Sequence, residues 1–498
     1  MPLTLDGLGE QVEHFYKEWQ EELFQLYAGI KTESSLGKIY NSWGKVFSLN
    51  IIEELQTIKA GINNALDRRR AEHLEKFLVG GYLEQSGREW LDKFITAQEN
   101  SIVEFEGKIV PYTTAINEFH KERSRERRQL LFNSMEKITI QLDEFRKKQL
   151  EKVSNSSSKL GYISLAALFR SLSGIDVTQL LEICETAGSN LEELFNKSME
   201  RASLLLMELP FSNLAEWDLQ YLLKGALFDG YFPVELFING FWTVTQGMGI
   251  NLTDRKNLAI DMEPRAGKGW KAAAFPIRIP QQLIFVVTPE AGYLQYKYFY
   301  REGGRALFYA HVKETMPFEF RAIGDGSLEE GYSLLFESLL SNPRWWAYVM
   351  QCEMPPYMKE YAAAIKLFEF RDAIGSLLAD EHLLSSWDNS KSREEYSVIR
   401  ERWRKIPYLQ NHVYLGCQLL RTVWRLRAFL FEAQLRAFLI KQYGQEWFVS
   451  REAGALLRKL WAQGTRYKSP ELLEKLGFAS LDPQFLMREL KNDLRGFN

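Results

Sequence analysis

Apolar positions recur at intervals of three and four through most of this chain. Near the start they fall at Leu8, Val12, Phe15, Tyr16, Trp19, Leu23 and Leu26, which line up as one stripe on a helix. The same period predicts long amphipathic helices over 8–150, helices again from Ser164, and helices once more beyond 344. Asp176 ahead of 177–187 and Ser189 ahead of 191–207 read as N-caps. The serine-rich stretch 154–158 (SNSSS) reads as a linker, dividing an N-terminal helical part, 1–153, from a larger part, 159–498. One region breaks the helical period. The run 282–288 (QLIFVVT) is short, β-branched and bounded by Pro280 and Pro289, so it predicts a strand within a small sheet near 258–289. A helix over 293–314 follows, then a loop through Gly324, Asp325 and Gly326. Next comes a helix over roughly 327–340, with Ser327 as N-cap and Glu330 at the capping-box spacing.

Composition narrows the class. Hydrophobic residues make up 46% and charged residues 26% of the 498, which excludes wholesale disorder. Fifteen prolines fall below the usual ~5%, in keeping with a helical chain. Sixty-two basic against 65 acidic residues give a net charge of −3, too little positive field for a nucleic-acid partner. The charge-dense segment 120–153 mixes its acids with its bases, the pattern of a solvated helix face. The apolar stretch 221–242 is interrupted by Lys224, Asp229 and Glu235, so no membrane partner is expected. The first residues, MPLTLDGLGEQVEHF, lack the apolar core of a secretory signal. Cys184, Cys352 and Cys417 are too few and too scattered for a disulfide framework or a zinc ribbon. A cytoplasmic, reducing setting is the expectation.

Candidate chemistry sits at Tyr300-Arg301-Glu302-Gly303-Gly304-Arg305-Ala306-Leu307. The string has the form H-E-x-G-H-A-L with both histidines replaced by arginine. In the intact motif two histidines at i and i+4 share a helical face and bind zinc, and the Glu between them is the general base. Twenty-five residues after Arg305, Glu330 opens the string Glu330-Gly331-Tyr332-Ser333-Leu334-Leu335-Phe336-Glu337. This resembles the E-x-x-S-x-x-x-E helix of the thimet oligopeptidase and oligoendopeptidase F family of gluzincins. The carboxypeptidase Taq family has a similar spacing. Asp261, Arg265-Ala266-Gly267-Lys268 and Ala274-Phe275 resemble the same family's approach to its motif. The run 282–288 falls where that family has an edge strand that pairs with substrate. Pro317-Phe318-Glu319-Phe320-Arg321 with Gly324-Asp325 resembles a linker in one of its subgroups. Tyr467, Pro470, Glu471-Leu472-Leu473 and Gly477 resemble its C-terminal pattern. The likeness is clearest over 255–345 and weaker over 403–490; residues 1–250 share only helical character.

The resemblance implies a mainly α, neurolysin-like fold: a prolate helical body with a deep central channel and a small β element. It also implies that Arg301, Arg305 and Glu330 stand at ancestral zinc-ligand positions and Glu302 at the general-base position. His412 and Tyr414 fall in the region that supports the oxyanion, where Gln418 and Leu420 align with paired tyrosines. A guanidinium has no lone pair for zinc, so the metal is expected to be lost and no cofactor is expected. Arg301 and Arg305 would then neutralise Glu302 and Glu330 in place of the ion. The function implied is a catalytically inactive oligopeptidase-like protein, a pseudoenzyme, whose partner is a peptide or an extended protein segment held in the cleft. Two other readings stay open. One is an active metallopeptidase using His311, Glu302, Glu330 and Glu337 as non-standard ligands. The other is a structural or assembly protein with a vestigial cleft. Each residue also has a plainer role: surface helix charges for Arg301, Glu302 and Arg305, a first-turn acid for Glu330, an ordinary helix residue for Glu337, and a packed histidine for His311. Tyr293, Tyr296 and Tyr300 read as packing, and Gly303-Gly304 as a close helix contact.

Overall fold

The helical period is realised along most of the backbone. In the computed structural model, which describes residues 3–252, 256–385 and 391–497, the chain is mainly helical with two small sheets. The first helix, Leu5–Tyr27, buries Leu8, Val12, Phe15 and Tyr16, and Thr4 caps it by accepting from the Gly7 amide at 3.2 Å. Asp176 caps Val177–Asn190 as its position suggests, accepting from the Gln179 amide at 3.0 Å. Ser189 does not cap the next helix. It lies inside the preceding one, and Glu192–Met207 starts without a side-chain cap. Ser327 is likewise inside its helix: Gly326–Glu337 is capped by Asp325, which accepts from the Ser327 amide at 3.0 Å.

Two sequence readings need correction. The stretch 154–158 is not a linker but the last turns of one helix, Arg125–Lys159. Ser157 and Ser158 turn their hydroxyls back onto the Ser154 carbonyl, so these side chains find their hydrogen bonds within the helix itself. Ser156 and Ser157 are buried there. Residues 8–150 are also not wholly helical. Ile102–Phe105 (β1) and Lys108–Pro111 (β2) form an antiparallel hairpin with Phe105 opposite Lys108. Its two-residue turn is Glu106-Gly107, both at positive φ (50° and 73°), as a type I′ turn requires.

The backbone divides into two compact units. The first holds Met1–Tyr82, Leu227–Lys359 and Arg427–Glu489; the second holds Leu83–Ala226, Glu360–Leu426 and Leu490–Asn498. In the first unit a three-stranded sheet is formed by Leu258–Asp261 (β3), Ala273–Arg278 (β4) and Gln282–Val286 (β5) in the order β3-β5-β4. The predicted strand is thus present but central, parallel to β3 and antiparallel to β4, and not the edge strand that the resemblance implied. The edge beside it is β4. Aromatic rings tie this sheet to the helix Tyr293–Ala310: Phe285 stacks on Phe299 at 5.2 Å, and Phe237 stacks on Phe299 at 4.4 Å. The loop after β3 is fixed by Lys268, buried with its ammonium 2.9–3.0 Å from the carbonyls of Asp261, Glu263 and Val287. In the second unit the hairpin covers a core of Val103, Phe105, Tyr112, Phe119, Leu131, Met135 and Leu142. Among the described residues no helix is long and apolar enough to cross a membrane.

Candidate functional site

The site is built where two helices of the first unit come unusually close. A Cβ on Gly304 would stand 2.7 Å from the Tyr332 carbonyl oxygen and 3.0 Å from Phe336, and one on Gly303 would stand 2.5 Å from Phe241. Gly304 therefore sets how near Tyr293–Ala310 lies to Gly326–Glu337, while Gly303 makes room for Phe241 of the helix Phe237–Gly247. The second helix is anchored at its start. Asp325, buried, accepts from Ser327 Oγ at 2.6 Å and from the Ser469 amide at 2.9 Å, and faces Arg427 at 3.5 Å. Tyr293, Tyr296 and Tyr300 are buried packing residues, as their spacing suggests.

This approach brings a basic stripe against an acidic one. Lys297, Arg301 and Arg305 follow one another at intervals of four along the first helix. Arg301 pairs with Glu330 at 2.5 Å and with Glu337 at 3.3 Å. Arg305 pairs with the other oxygen of Glu330 at 2.7 Å and with Glu302 at 2.6 Å. Lys297 reaches Glu337 at 3.2 Å. Three cations therefore meet three carboxylates, each side chain 6–19% exposed. Glu330 is the hub: each of its oxygens is held by a different guanidinium. Glu302 turns its second oxygen to the sheet, accepting from the amide of Ala274 on β4 at 3.3 Å.

A fourth carboxylate behaves differently. Glu329 accepts a hydrogen bond from Tyr309. Burial pushes its carboxyl up, against the pull of Arg305 and the Tyr309 hydroxyl, while Glu330 and Glu302 push the same way as burial. Burial also lifts the Tyr16 hydroxyl, and Glu329 adds to that. Burial alone would lower Arg305, but Glu302, Glu329 and Glu330 outweigh it and hold the guanidinium firmly charged.

The structure thus brings together Arg301, Glu302, Arg305, Glu330 and Glu337. It adds Lys297, Tyr309 and Glu329, which the sequence reading passed over. The interval of four from Lys297 to Arg301 to Arg305 was the available signal for the first of these. His311 caps the helix C-terminus with Nδ1 2.7 Å from the Leu307 carbonyl oxygen, its ring beside Trp461 at 5.1 Å. Among the described residues no group of three or more His, Cys, Asp or Glu side chains is gathered as a metal site. The donor set at the motif does not fit zinc: two of the positions are guanidinium groups without a lone pair, and both oxygens of Glu330 are already engaged.

His412 and Tyr414 belong to the second unit. His412 ends the turn Gln410–His412, with Nδ1 3.0 Å from the Asn411 side-chain oxygen. Burial, helped by Arg404 and Arg400, lowers its pKa to about 4, so the ring is neutral. Tyr414 is buried with the Arg393 guanidinium 4.8 Å from its ring centre. Gln418 lies just ahead of the helix Leu419–Tyr443 and Leu420 inside it. No protein-family model matches the chain, and no curated protein matches it either.

Proposed function

We propose that this chain is a catalytically inactive relative of the oligopeptidases that binds a peptide or an extended protein segment without cleaving it. One observation carries the reading: both arginines at the ancestral histidine positions grip the one carboxylate, Glu330, that stands at the third ligand position. A +2 ion is replaced by two +1 groups at the same spacing, and the two helices stay clamped. With no metal-activated water, Glu302 has nothing to deprotonate and instead takes an arginine and a backbone amide. The oligopeptidase architecture comes with this reading, as does a reducing compartment, in keeping with three free cysteines. The edge strand β4, next to the cluster, supplies backbone groups of the kind that extended peptides pair with.

A second reading, a structural or assembly protein with a vestigial cleft, draws support from Glu302, which already occupies the Ala274 amide on that edge. Three measurements on one preparation, purified without a metal-affinity column, separate these readings. Elemental analysis is expected to give well under one equivalent of zinc, and a quenched-peptide assay no cleavage. Fluorescence anisotropy with a labelled pool of mixed-sequence dodecapeptides is expected to show binding. Stoichiometric zinc that survives dialysis against a mild chelator, or cleavage abolished in Glu302→Gln, overturns the inactive reading. Absence of binding moves the protein to the structural one.

A further inference from the structure

The three-stranded sheet of the first unit has two edges, and they offer different groups. On β4 the backbone groups turned away from β5 belong to Ala274 and Pro276. Glu302 takes the Ala274 amide at 3.3 Å, and Pro276 has no amide to give. Over 273–276 this edge therefore lacks a free donor. On β3 the opposite holds. The Leu283 and Val287 amides donate to the carbonyls of Asn257 and Asp261 at 2.8 and 2.9 Å, so the odd-numbered residues turn their backbone groups toward β5. The N–H and C=O groups of Leu258 and Ile260 face outward, and among the described residues none of the four meets a partner. Alternation along the strand places Leu258 and Ile260 on one face, both half-buried, with Met262 just past the strand end 43% exposed. Ala259, on the other face, is exposed and too small to obstruct a neighbouring strand. The far end of β3 is pinned. Lys268 donates to the carbonyls of Asp261 and Val287, each at 3.0 Å, and the Asp261 carboxylate holds the Glu263 amide at 3.1 Å and Arg265 at 2.7 Å.

We propose that β3 is the edge at which this chain takes an extended protein segment, adding it as a further strand against Leu258 and Ile260. A strand pinned at its end, with unpaired donors and acceptors two residues apart, is a template for another backbone. The segment is recognised through its own amides and carbonyls. Its side chains at alternate positions are apolar, since on one face they cover Leu258, Ile260 and Met262. Placing the segment here rests on the peptide-binding reading above, and it puts the segment at β3 because β4 lacks a free amide over 273–276.

Fluorescence anisotropy on the full chain, with the labelled pool of mixed-sequence dodecapeptides, supplies the test. Ile260→Pro removes the outward amide and sets a ring at the edge, without taking a bond from β5. Ile260→Val keeps the amide and a β-branched side chain. Binding is expected to weaken about tenfold or more in Ile260→Pro, because the segment loses a backbone partner, and to stay unchanged in Ile260→Val. A folded Ile260→Pro variant that binds as the unaltered protein does overturns the β3 site and leaves peptide binding standing. No binding by the unaltered protein overturns both. A homodimer that Ile260→Pro converts to monomer, seen by sedimentation, also overturns the proposal, since a second copy would then hold the edge. Should the proline variant not fold, hydrogen exchange in the unaltered protein decides. Slower exchange of the Leu258 and Ile260 amides with the pool bound upholds the site, and unchanged exchange overturns it.

Discussion

The two units handle buried carboxylates in opposite ways. At the helix pair of the first unit, Glu302, Glu330 and Glu337 meet Lys297, Arg301 and Arg305, so charge is met with charge. In the second unit, Asp143 and Asp380 accept from backbone amides and a hydroxyl, with Arg393 3.3 Å from Asp143 and Arg400 facing Asp380, yet burial outweighs these and pushes both carboxyls up. The first arrangement depends on both partners being present, and its guanidinium groups stay charged. The second depends on a proton and is set by pH. The same residue class therefore fails under different insults in the two places: by substitution in one, by alkalinity in the other.

The largest expected effect breaks the first arrangement. Arg305→Ala strands Glu302 and leaves Glu330 with one guanidinium, both partly buried. Removing one partner of a buried pair costs about 3–5 kcal/mol, against about 0–1 for an exposed pair. With side chains still 13–19% exposed, about 3 kcal/mol is expected from urea unfolding midpoints. Adding Glu330→Ala should recover part of that loss. A single Arg305→Ala with unchanged midpoint would falsify the charge-for-charge account.

A smaller effect sharpens it. Arg301→His with Arg305→His builds H-E-G-G-H opposite Glu330, across a helix contact that Gly304 fixes. Zinc at a hundredfold over its dissociation constant should then stabilise this variant by about 2.7 kcal/mol, seen as a rise in Tm absent from the unaltered protein. A folded double variant indifferent to zinc means that the two helices do not hold the spacing that the proposed oligopeptidase ancestry requires.

How much of this was legible follows from what each feature depends on. Asp176 as a cap and 282–286 as strand depend on neighbours in sequence, and both were readable. The place of that strand within its sheet depends on β3 and β4, and the edge position that the resemblance implied is not the one found. The hairpin was hidden because two four-residue strands sit between helices of 36 and 10 residues; Glu106-Gly107 was the one local sign of it. The SNSSS stretch misled because serine bonding back to its own helix looks the same in sequence as serine in a loop. At the site, the arginine–glutamate pairing followed from helix spacing plus the resemblance. Asp143 and Asp380 carried no signal at all: a lone aspartate in a helix reads as surface charge, and only packing shows the burial.

The smallest predicted effect concerns those two aspartates and separates them by pH. The folded pKa of Asp380, about 7, stands above its ordinary 3.8, so the fold favours the protonated form. Its stabilising contribution is then complete below about pH 4 and is lost as pH rises through 7. Between pH 6 and pH 8 that loss comes to about 1.4 kcal/mol, or tenfold in the folding equilibrium. Asp143, at about 6, loses a comparable amount one unit lower, between about pH 5 and pH 7. Other groups titrate in the same range, so the informative quantity is a difference: the slope of stability with pH in the unaltered protein minus that in each variant. Asp380→Asn should flatten the slope mainly over pH 6–8, and Asp143→Asn mainly over pH 5–7. Arg305→Ala, though far more destabilising, touches neither aspartate, so the flattening produced by Asp380→Asn should be the same with or without it. If Asp380→Asn leaves the slope over pH 6–8 unchanged, the contrast between a charge-balanced cluster and aspartates raised by burial is wrong.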